Sequence, residues 1–385
     1  MKKPSLSPRS SLSVLILALA VPSVLLNGGC SGGGAAADAR DASGDAPNDG
    51  APQPDGGASE TRDDGPTTDA PVDATVSGAD AADAGASDAV TGGDAEPAGV
   101  WRKVATSATV YNRVAFCDGT FFILGTGSIA TTTTGPVAGA VSIATGYTLD
   151  EIACGPSSVV VVGRKNGAPF NGVILRSTDA GASWKDVTPA QVGQGRLDSV
   201  IHAEGAFVVG GLSNTLLTST DGMAWTSVVA TAAGTNFIAT DLAYGNKLYV
   251  AALGTFAYAS SNLTDWTYKG EISKKAVSRL LFLNGGFVAL GEQKNLATST
   301  DGATWTARNV PPAVSVSGNF TDAIFAAGAY TVVGSMATIV TSSDGSDWSK
   351  DGDISGLAVQ NLYGIAHGAG RRVAVGSLGV ILVSP

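Results

Sequence analysis

Histidine and glutamate are scarce in this chain of 385 residues, and the motifs of the common enzyme classes are missing. Only His202 and His367 occur, one on a predicted strand and one at a predicted turn. A histidine-built metal centre is therefore not expected, and each reads as a packed or surface side chain. There is no Gly-x-Ser-x-Gly elbow and no Gly-Lys of a phosphate-binding loop, which removes the usual hydrolase and nucleotide-binding readings. Long apolar stretches with a 3.6-residue period and helix caps are also missing, so helices are not needed. Residues 99–385 hold 18 acidic and 18 basic side chains. With no basic face interleaved with aromatics, a nucleic-acid role is not expected.

What is present is a repeat. Five of the six tryptophans, Trp184, Trp225, Trp266, Trp305 and Trp348, stand 41, 41, 39 and 43 residues apart, and Trp101 lies 83 residues before Trp184. That interval is about two periods, so one unit between them lacks its tryptophan. A period near 40 residues signals stacked supersecondary units.

The first 98 residues belong to something else. Lys2, Lys3 and Arg9 followed by the apolar run Ser13 to Leu26 read as an export signal over residues 1–30, too short for a stable membrane span. Its end, Leu26-Asn27-Gly28-Gly29-Cys30, resembles the lipobox of bacterial lipoproteins, although Asn27 stands where an aliphatic residue is usual. That resemblance implies lipidation at Cys30 and a protein on the outer membrane or cell surface, with secretion as the other reading. Residues 31–98 are almost wholly Ala, Gly, Asp, Pro, Ser and Thr, with 15 acidic residues against Arg40 and Arg62. Nothing there can offset the entropy of ordering, and the segment is expected to be a disordered tether reaching roughly 45 Å. The low pI belongs to the tether and not to the repeat domain over 99–385.

The unit from Leu197 to Trp225 is the clearest. Runs such as Ser199 to Ala203, Ala206 to Gly210 and Thr215 to Thr218 alternate with Gly-centred turns, the pattern of an antiparallel meander. Seven second-strand cores can be counted: Phe121 to Gly125, Val159 to Gly163, Phe207 to Gly210, Tyr249 to Ala252, Phe287 to Gly291, Thr331 to Gly334 and Val373 to Gly376. The expected fold is all-β, a seven-bladed β-propeller of four-stranded antiparallel blades. The chain stops at Ile381–Pro385 with no fourth strand for its last unit, whereas Trp101-Arg102-Lys103-Val104 is a fourth strand without its first three. Pairing the two closes the ring.

Four units end in Ser-x-Asp-Gly-x-x-Trp or a close variant, Ser177–Trp184, Ser219–Trp225, Ser299–Trp305 and Ser343–Trp348, a partial copy stands at Ser260–Trp266, and the first unit, at Thr132–Ala138, keeps only the glycine. The motif resembles the Asp-box of BNR-type propellers. In that turn Asp179, Asp221, Asp301 and Asp344 are expected to accept backbone N–H groups, Gly to take the positive φ, and the tryptophans to pack between blades. The motif is structural on this reading.

Asp-box repeats also occur in sialidase-like glycoside hydrolases, which makes a glycan-active enzyme the alternative. The Arg-Ile-Pro signature of those enzymes is missing, and the domain has only Glu151, Glu204, Glu271 and Glu292 as glutamates. Asp150 and Glu151 are adjacent on a strand and would point to opposite faces, so they are not expected to share a substrate. No catalytic residue, metal or cofactor is assigned. The candidate binding rim lies at the start of the first strand of successive units: Arg113, Asp150, Asp198, Asp241, Arg279 and Asp322, joined by Lys274 and Lys275. Tyr111, Tyr147, Phe237 and Phe320 are expected in or beside the same loops, where a rigid scaffold usually carries function.

Cys117 and Cys154 fall at one phase of two successive units. Export permits a disulfide, which needs Cα atoms within about 7 Å, whereas splayed inner strands would leave two buried thiols, the reading the blade geometry favours. In blade number, motif and topology the domain resembles the photosystem II assembly and stability factor family. That resemblance implies an exported, often lipid-anchored scaffold and not an enzyme, with no implication of photosynthesis. The expected function is a monomeric cell-envelope lipoprotein that binds a protein or polysaccharide partner.

Overall fold

The computed structural model describes residues 100–385 apart from 106–108, 135–139, 143–145, 168–170, 193–194, 213, 233–238, 313–317, 353 and 355–359. The export signal, Cys30, the tether and Phe237 lie outside the described residues. No helix among the described residues is long and apolar enough to cross a membrane; the helical pieces are three-residue 3₁₀ turns such as Ala190–Val192.

Seven sheets follow one another. Within each blade the strands are termed a to d in chain order. Strands a are Tyr111–Cys117, Tyr147–Gly155, Leu197–Ala203, Asp241–Gly245, Val277–Leu283, Phe320–Ala326 and Leu362–Gly368 for blades 1 to 7. Six blades take all four strands from consecutive sequence. Blade 4 adds Thr231–Ala232, which runs parallel to Asp265–Trp266. Blade 7 borrows its fourth strand: Arg102–Ala105 pairs antiparallel with Ile381–Ser384, Arg102 opposite Val383 and Lys103 opposite Leu382.

The hydrophobic cores lie between blades. Each of seven apolar clusters draws on two neighbouring sheets, and one joins Tyr111, Phe121 and Ile123 of blade 1 to Val373, Val375 and Ile381 of blade 7. A ring with seven interfaces for seven blades has no open edge, which is the reason to close a sheet array at all. Tyr111 and Phe320 belong to these cores, 8% and 1% exposed, and so are not the loop aromatics expected from sequence. Both open strand a, where the first side chain turns inward between blades.

The borrowed strand is held by more than its ladder. Trp101 is buried, its Nε1 donates to Asp351 Oδ2 at 3.3 Å, and the Arg372 guanidinium lies 4.9 Å from its ring. Arg372 also donates to Asp351 Oδ2 at 2.5 Å and to Ser384 Oγ at 2.9 Å. One carboxylate from the end of blade 6 thus ties the N-terminal strand to blade 7.

Four copies of the motif turn behave alike. Asp221 Oδ1 accepts from the N–H groups of Met223 (2.8 Å) and Ala224 (3.0 Å), and Ser219 Oγ donates to it at 2.9 Å. Asp301 and Asp344 repeat this geometry, and the longer turn at Asp179 accepts from Ser183 N at 2.9 Å. In the partial copy Asn262 Oδ1 takes the N–H groups of Thr264 and Asp265, and Leu263 adopts the positive φ of 66°. An amide oxygen therefore replaces the carboxylate without loss of the turn. Trp225, Trp266 and Trp348 are buried against the neighbouring blade, as Trp101 is, while Trp184 and Trp305 pack there half-buried.

Cys117 and Cys154 form a disulfide with Cα atoms 5.7 Å apart, which corrects the expectation that splay would leave free thiols. Blades diverge with distance from the axis, but strands a are nearest to it, and there successive blades come within bridging reach. Joining residues 37 apart restricts the unfolded chain by about 4 kcal/mol in the loop-entropy account.

A β-bulge recurs near the start of strand a. The register slips between Tyr111 and Arg113, Leu149 and Glu151, Leu197 and Ser199, Val277 and Arg279, Phe320 and Asp322, and Leu362 and Gly364. Opposite all six of these bulges strand b carries a glycine, Gly125, Gly163, Gly211, Gly291, Gly334 and Gly376, and in every one of these blades but the second it is the last residue of the strand. A Cβ on Gly376 would lie 1.9 Å from the Asn361 carbonyl oxygen, and one on Gly291 2.0 Å from that of Ala276. The glycine makes room for the chain that swings over it into the bulge. Blade 4 has Ala252 there; Asp241 pairs with it directly, and Thr240 caps the ladder through its own N–H and hydroxyl.

Two outcomes follow. Trp101→Ala should cost about 3–5 kcal/mol, and deletion of residues 99–107 at least as much; an unchanged melting temperature in the deletion variant would exclude closure by this strand. Gly376→Ala should destabilise by about 1–3 kcal/mol, read as a lower denaturant midpoint at constant slope, whereas a neutral effect would show that the bulge can open freely.

Candidate functional site

The bulge decides what faces the axis. Strict alternation would send Asp150 and Glu151 to opposite faces, but the extra residue breaks the alternation, and both end up on the channel side at different depths. The residues after each bulge point into the channel: Arg113, Glu151, Ser199, Arg279 and Asp322, with Asp241 at the same phase in blade 4 and Gly364 in blade 7. Of the residues expected at the rim, Arg113, Asp241, Arg279 and Asp322 belong to this inner ring, together with Glu151 and Ser199, which the rim assignment missed. Asp150 and Asp198 are bulged residues and stand one level outward.

The inner ring is dense with ion pairs, although the buried Arg113 Nε makes no hydrogen bond. Arg279 pairs with Glu151, with Asp322 at 2.9 Å and with Asp241 at 3.6 Å. Arg113 Nε lies 3.3 Å from Glu151, its Nη1 is 3.7 Å from Asp322, and Nη1 also donates to the Tyr363 carbonyl at 3.2 Å. The carboxylates reach sideways as well. Asp241 accepts from Ser199 Oγ at 2.7 Å and from Leu280 N at 2.7 Å, and Asp322 from Ile365 N at 3.0 Å. Each of these bonds joins one blade to another. Burial pushes the Glu151 carboxyl up despite Arg113 and Arg279. Burial also opposes the charge on Arg279, but Glu151, Asp322 and Asp241 outweigh it and raise its pKa.

Carboxylates facing each other across a propeller axis with arginines beside them are what a glycosidase would need. Here they are not open to a substrate. Glu151, Asp241 and Asp322 are 2–4% exposed, and the cavity among the inner strands is about 50 Å³. A water molecule occupies about 30 Å³ in the liquid, so the space suits a water or two and not a sugar ring.

Above the ring lies a shallow bowl of about 330 Å³, lined by Val110, Asn112, Arg113, Asp150, Ser278, Thr321 and Tyr363. Five of these are bulged residues, so the same register slip that drives charges inward presents a second, outer circle of polar side chains. Asp150 is paired with Arg164 at 2.5 Å, and burial raises its pKa. Asp198 is paired with Arg196 at 2.6 Å, its Oδ2 is buried without a partner, and burial pushes it up to about 6 against Arg196. Lys274 is highly exposed and pairs with Glu271, while Lys275 stands exposed beside it; neither joins the ring. His202 and His367 pack in the inner strands, where burial lowers both pKa values. Among the described residues no cluster of histidine, cysteine or carboxylate side chains could hold a metal ion.

The pH dependence has two limbs. Asp198 titrates near 6 in the folded chain against about 4 when unfolded, so the native state holds the extra proton between these values and stability falls as pH rises from about 4 to 6, by at most about 3 kcal/mol. Asp179 and Asp221 are held down to about 2, by Ser183 and by the Ala224 N–H respectively; their stabilisation is present above pH 4 and is lost as pH falls towards 2. Asp198→Asn should flatten the limb from pH 4 to 6 in denaturant titrations and leave the acid limb intact. An unaltered profile would assign that limb to other groups.

The family model described as photosynthesis system II assembly factor YCF48 matches residues 147–383. No curated protein matches by sequence. Among solved structures the chain is similar to YCF48 from Cyanidioschyzon merolae, with a TM-score of 0.56 and 18% identity over 74% of this chain and 98% of that one. It is also similar to YCF48 bound to D1 peptide, with a TM-score of 0.58, 18% identity and coverage of 74% and 96%. A catalytically inactive variant of virginiamycin B lyase from Staphylococcus aureus with quinupristin has a TM-score of 0.58 at 11% identity, over 74% of this chain and 98% of that one. At such identities these likenesses show the fold alone.

Proposed function

The chain belongs to the photosynthesis system II assembly factor YCF48 family, and on that premise we propose that its propeller is a non-catalytic scaffold that binds a polypeptide partner through the channel-mouth bowl. The observation that carries the reading is the contrast between the two circles of polar residues. The inner circle is consumed by its own ion pairs, so it supports architecture and leaves no catalytic carboxylate accessible. The outer circle lines an open, shallow, polar concavity, the shape that receives a side chain or a short stretch of peptide. The YCF48 structure bound to D1 peptide supports a polypeptide ligand for this architecture.

With the export signal and the lipobox-like Cys30, the setting is the cell envelope, the domain being held there by a lipid anchor and the tether. A polysaccharide partner is the second reading, and Tyr363 at the bowl supports it, since an aromatic ring can stack on a sugar. Photosynthesis is not part of the proposal.

The test is affinity capture from envelope extracts with the full chain and with Ser278→Trp, which fills the bowl from an exposed position, alongside a glycan array. The expected result is a discrete set of proteins captured by the wild type and lost with Ser278→Trp, and no glycan signal. Capture of the same set by both chains would remove the bowl as the binding site, and a glycan signal lost in the variant would favour the polysaccharide.

A further inference from the structure

The bowl has a chemical preference that its shape alone does not reveal. Its wall at blade 2 is Asp150, and the same bulge position one blade on is Asp198. The Asp198 side chain is about nine-tenths buried, with 10% exposed, and while Oδ1 is taken by Arg196, Oδ2 has no donor. A buried carboxylate oxygen left unpartnered is costly, and an incoming N–H donor would relieve that cost. From the neighbouring elements Asp198 faces Arg196 on its own loop, Asp150 and Arg164 of blade 2, and Asp241 of blade 4. Among the described residues of the two circles and the arginines paired with them, five carboxylates, Asp150, Glu151, Asp198, Asp241 and Asp322, meet four guanidinium groups, Arg113, Arg164, Arg196 and Arg279. Arg113 is drawn down to Glu151 and Asp322, and Arg164 and Arg196 are each occupied by one aspartate. The excess is therefore one negative charge.

We propose that the Asp150–Asp198 sector of the channel mouth seats a single cationic side chain, lysine or arginine, of the partner polypeptide, its aliphatic stem lying along Val110 and Tyr363. The bowl of about 330 Å³, which Asp150 lines and Asp198 does not, is at the small end for a ligand site and fits one long side chain better than a folded surface, so the head of that side chain would reach Asp198 past Asp150. Val110, 37% exposed, offers the apolar contact that a lysine or arginine stem uses. The ammonium or guanidinium would complete Asp198 Oδ2 and share the second oxygen of Asp150. Since Asp198 holds its proton up to about pH 6, binding of the cation expels that proton, and affinity rises as pH rises from 5 to 7.5. This inference rests on the polypeptide-scaffold reading and narrows it.

The probe is a pair of five-residue peptides, acetyl-Gly-Ser-Lys-Ser-Gly-amide and its Nε-acetyl-lysine counterpart, titrated into the full chain by calorimetry at low salt, at pH 5 and pH 7.5. The lysine peptide should bind about tenfold or more tightly than its acetylated twin at pH 7.5, the size of one charge-assisted hydrogen bond, with a smaller gap at pH 5. Asp150→Asn/Asp198→Asn should abolish the gap. Ser278→Lys, which leaves both carboxylates in place and puts a competing cation at the bowl, should do the same, so the result does not depend on the double variant alone. The acidic tether is common to all variants, so a gap that survives in both would locate the attraction there and overturn the proposal. Equal binding of the two peptides would overturn the cation seat while leaving a peptide scaffold standing. No binding of either peptide, with bowl-dependent capture intact, would also overturn the seat.

Discussion

Arg279 is the side chain on which the centre of the ring depends. It stands on blade 5 and reaches carboxylates from blades 2, 4 and 6, so four of seven blades meet at one guanidinium. The surrounding hydrogen bonds carry the coupling outward: Asp241 joins blades 3, 4 and 5, and Asp322 joins blade 6 to blade 7. A buried charge network of this kind is weak as a source of net stability, because removing the ions from water offsets most of their attraction. Its value lies in geometry. Breaking one partner would strand the others, so the inner strands are held to one register and one distance from the axis.

The network exists because of the bulge, and the bulge exists because of glycine. At the end of strand b the missing side chain admits the carbonyl of the loop that leads into strand a, and the slip that follows turns adjacent residues into two concentric circles. One circle is a closed ion cluster, the other the lining of an open bowl. The ion cluster and the proposed binding site thus share a single backbone irregularity, repeated around the ring.

Much of this was legible in the sequence. The tryptophan interval, the seven strand cores and the orphan strand at Trp101 define the blades and their closure, because each rests on a local pattern that packing reinforces. The position of the site was legible only to within one residue. Counting by phase puts Arg113, Asp150, Asp198, Asp241, Arg279 and Asp322 on one rim, whereas the bulge sets Asp150 and Asp198 outward and brings Glu151 and Ser199 into the inner ring, since period-2 counting carries no mark for a bulge. The mark was present as the recurrent terminal glycine of strand b, and blade 4, with Ala252, is the exception that shows what the glycine does. The disulfide could not be read from sequence, because the distance between Cys117 and Cys154 depends on how closely the innermost strands approach the axis. Tyr111 and Phe320 show the converse: a residue at a loop's edge is buried when the first side chain of the strand turns between blades.

The borrowed strand also sets the order of events in time. Trp101 and its hydrogen-bond partner Asp351 are 250 residues apart, and Arg102 pairs with Val383. While the chain is emerging, its first strand has no neighbour and its two end blades have exposed flanks. The ring can lock only when the last strand arrives, a late long-range closure of the kind that makes folding slow. Until that moment the molecule is an arc with two adhesive ends, and those ends must be kept from finding another chain's before they find each other.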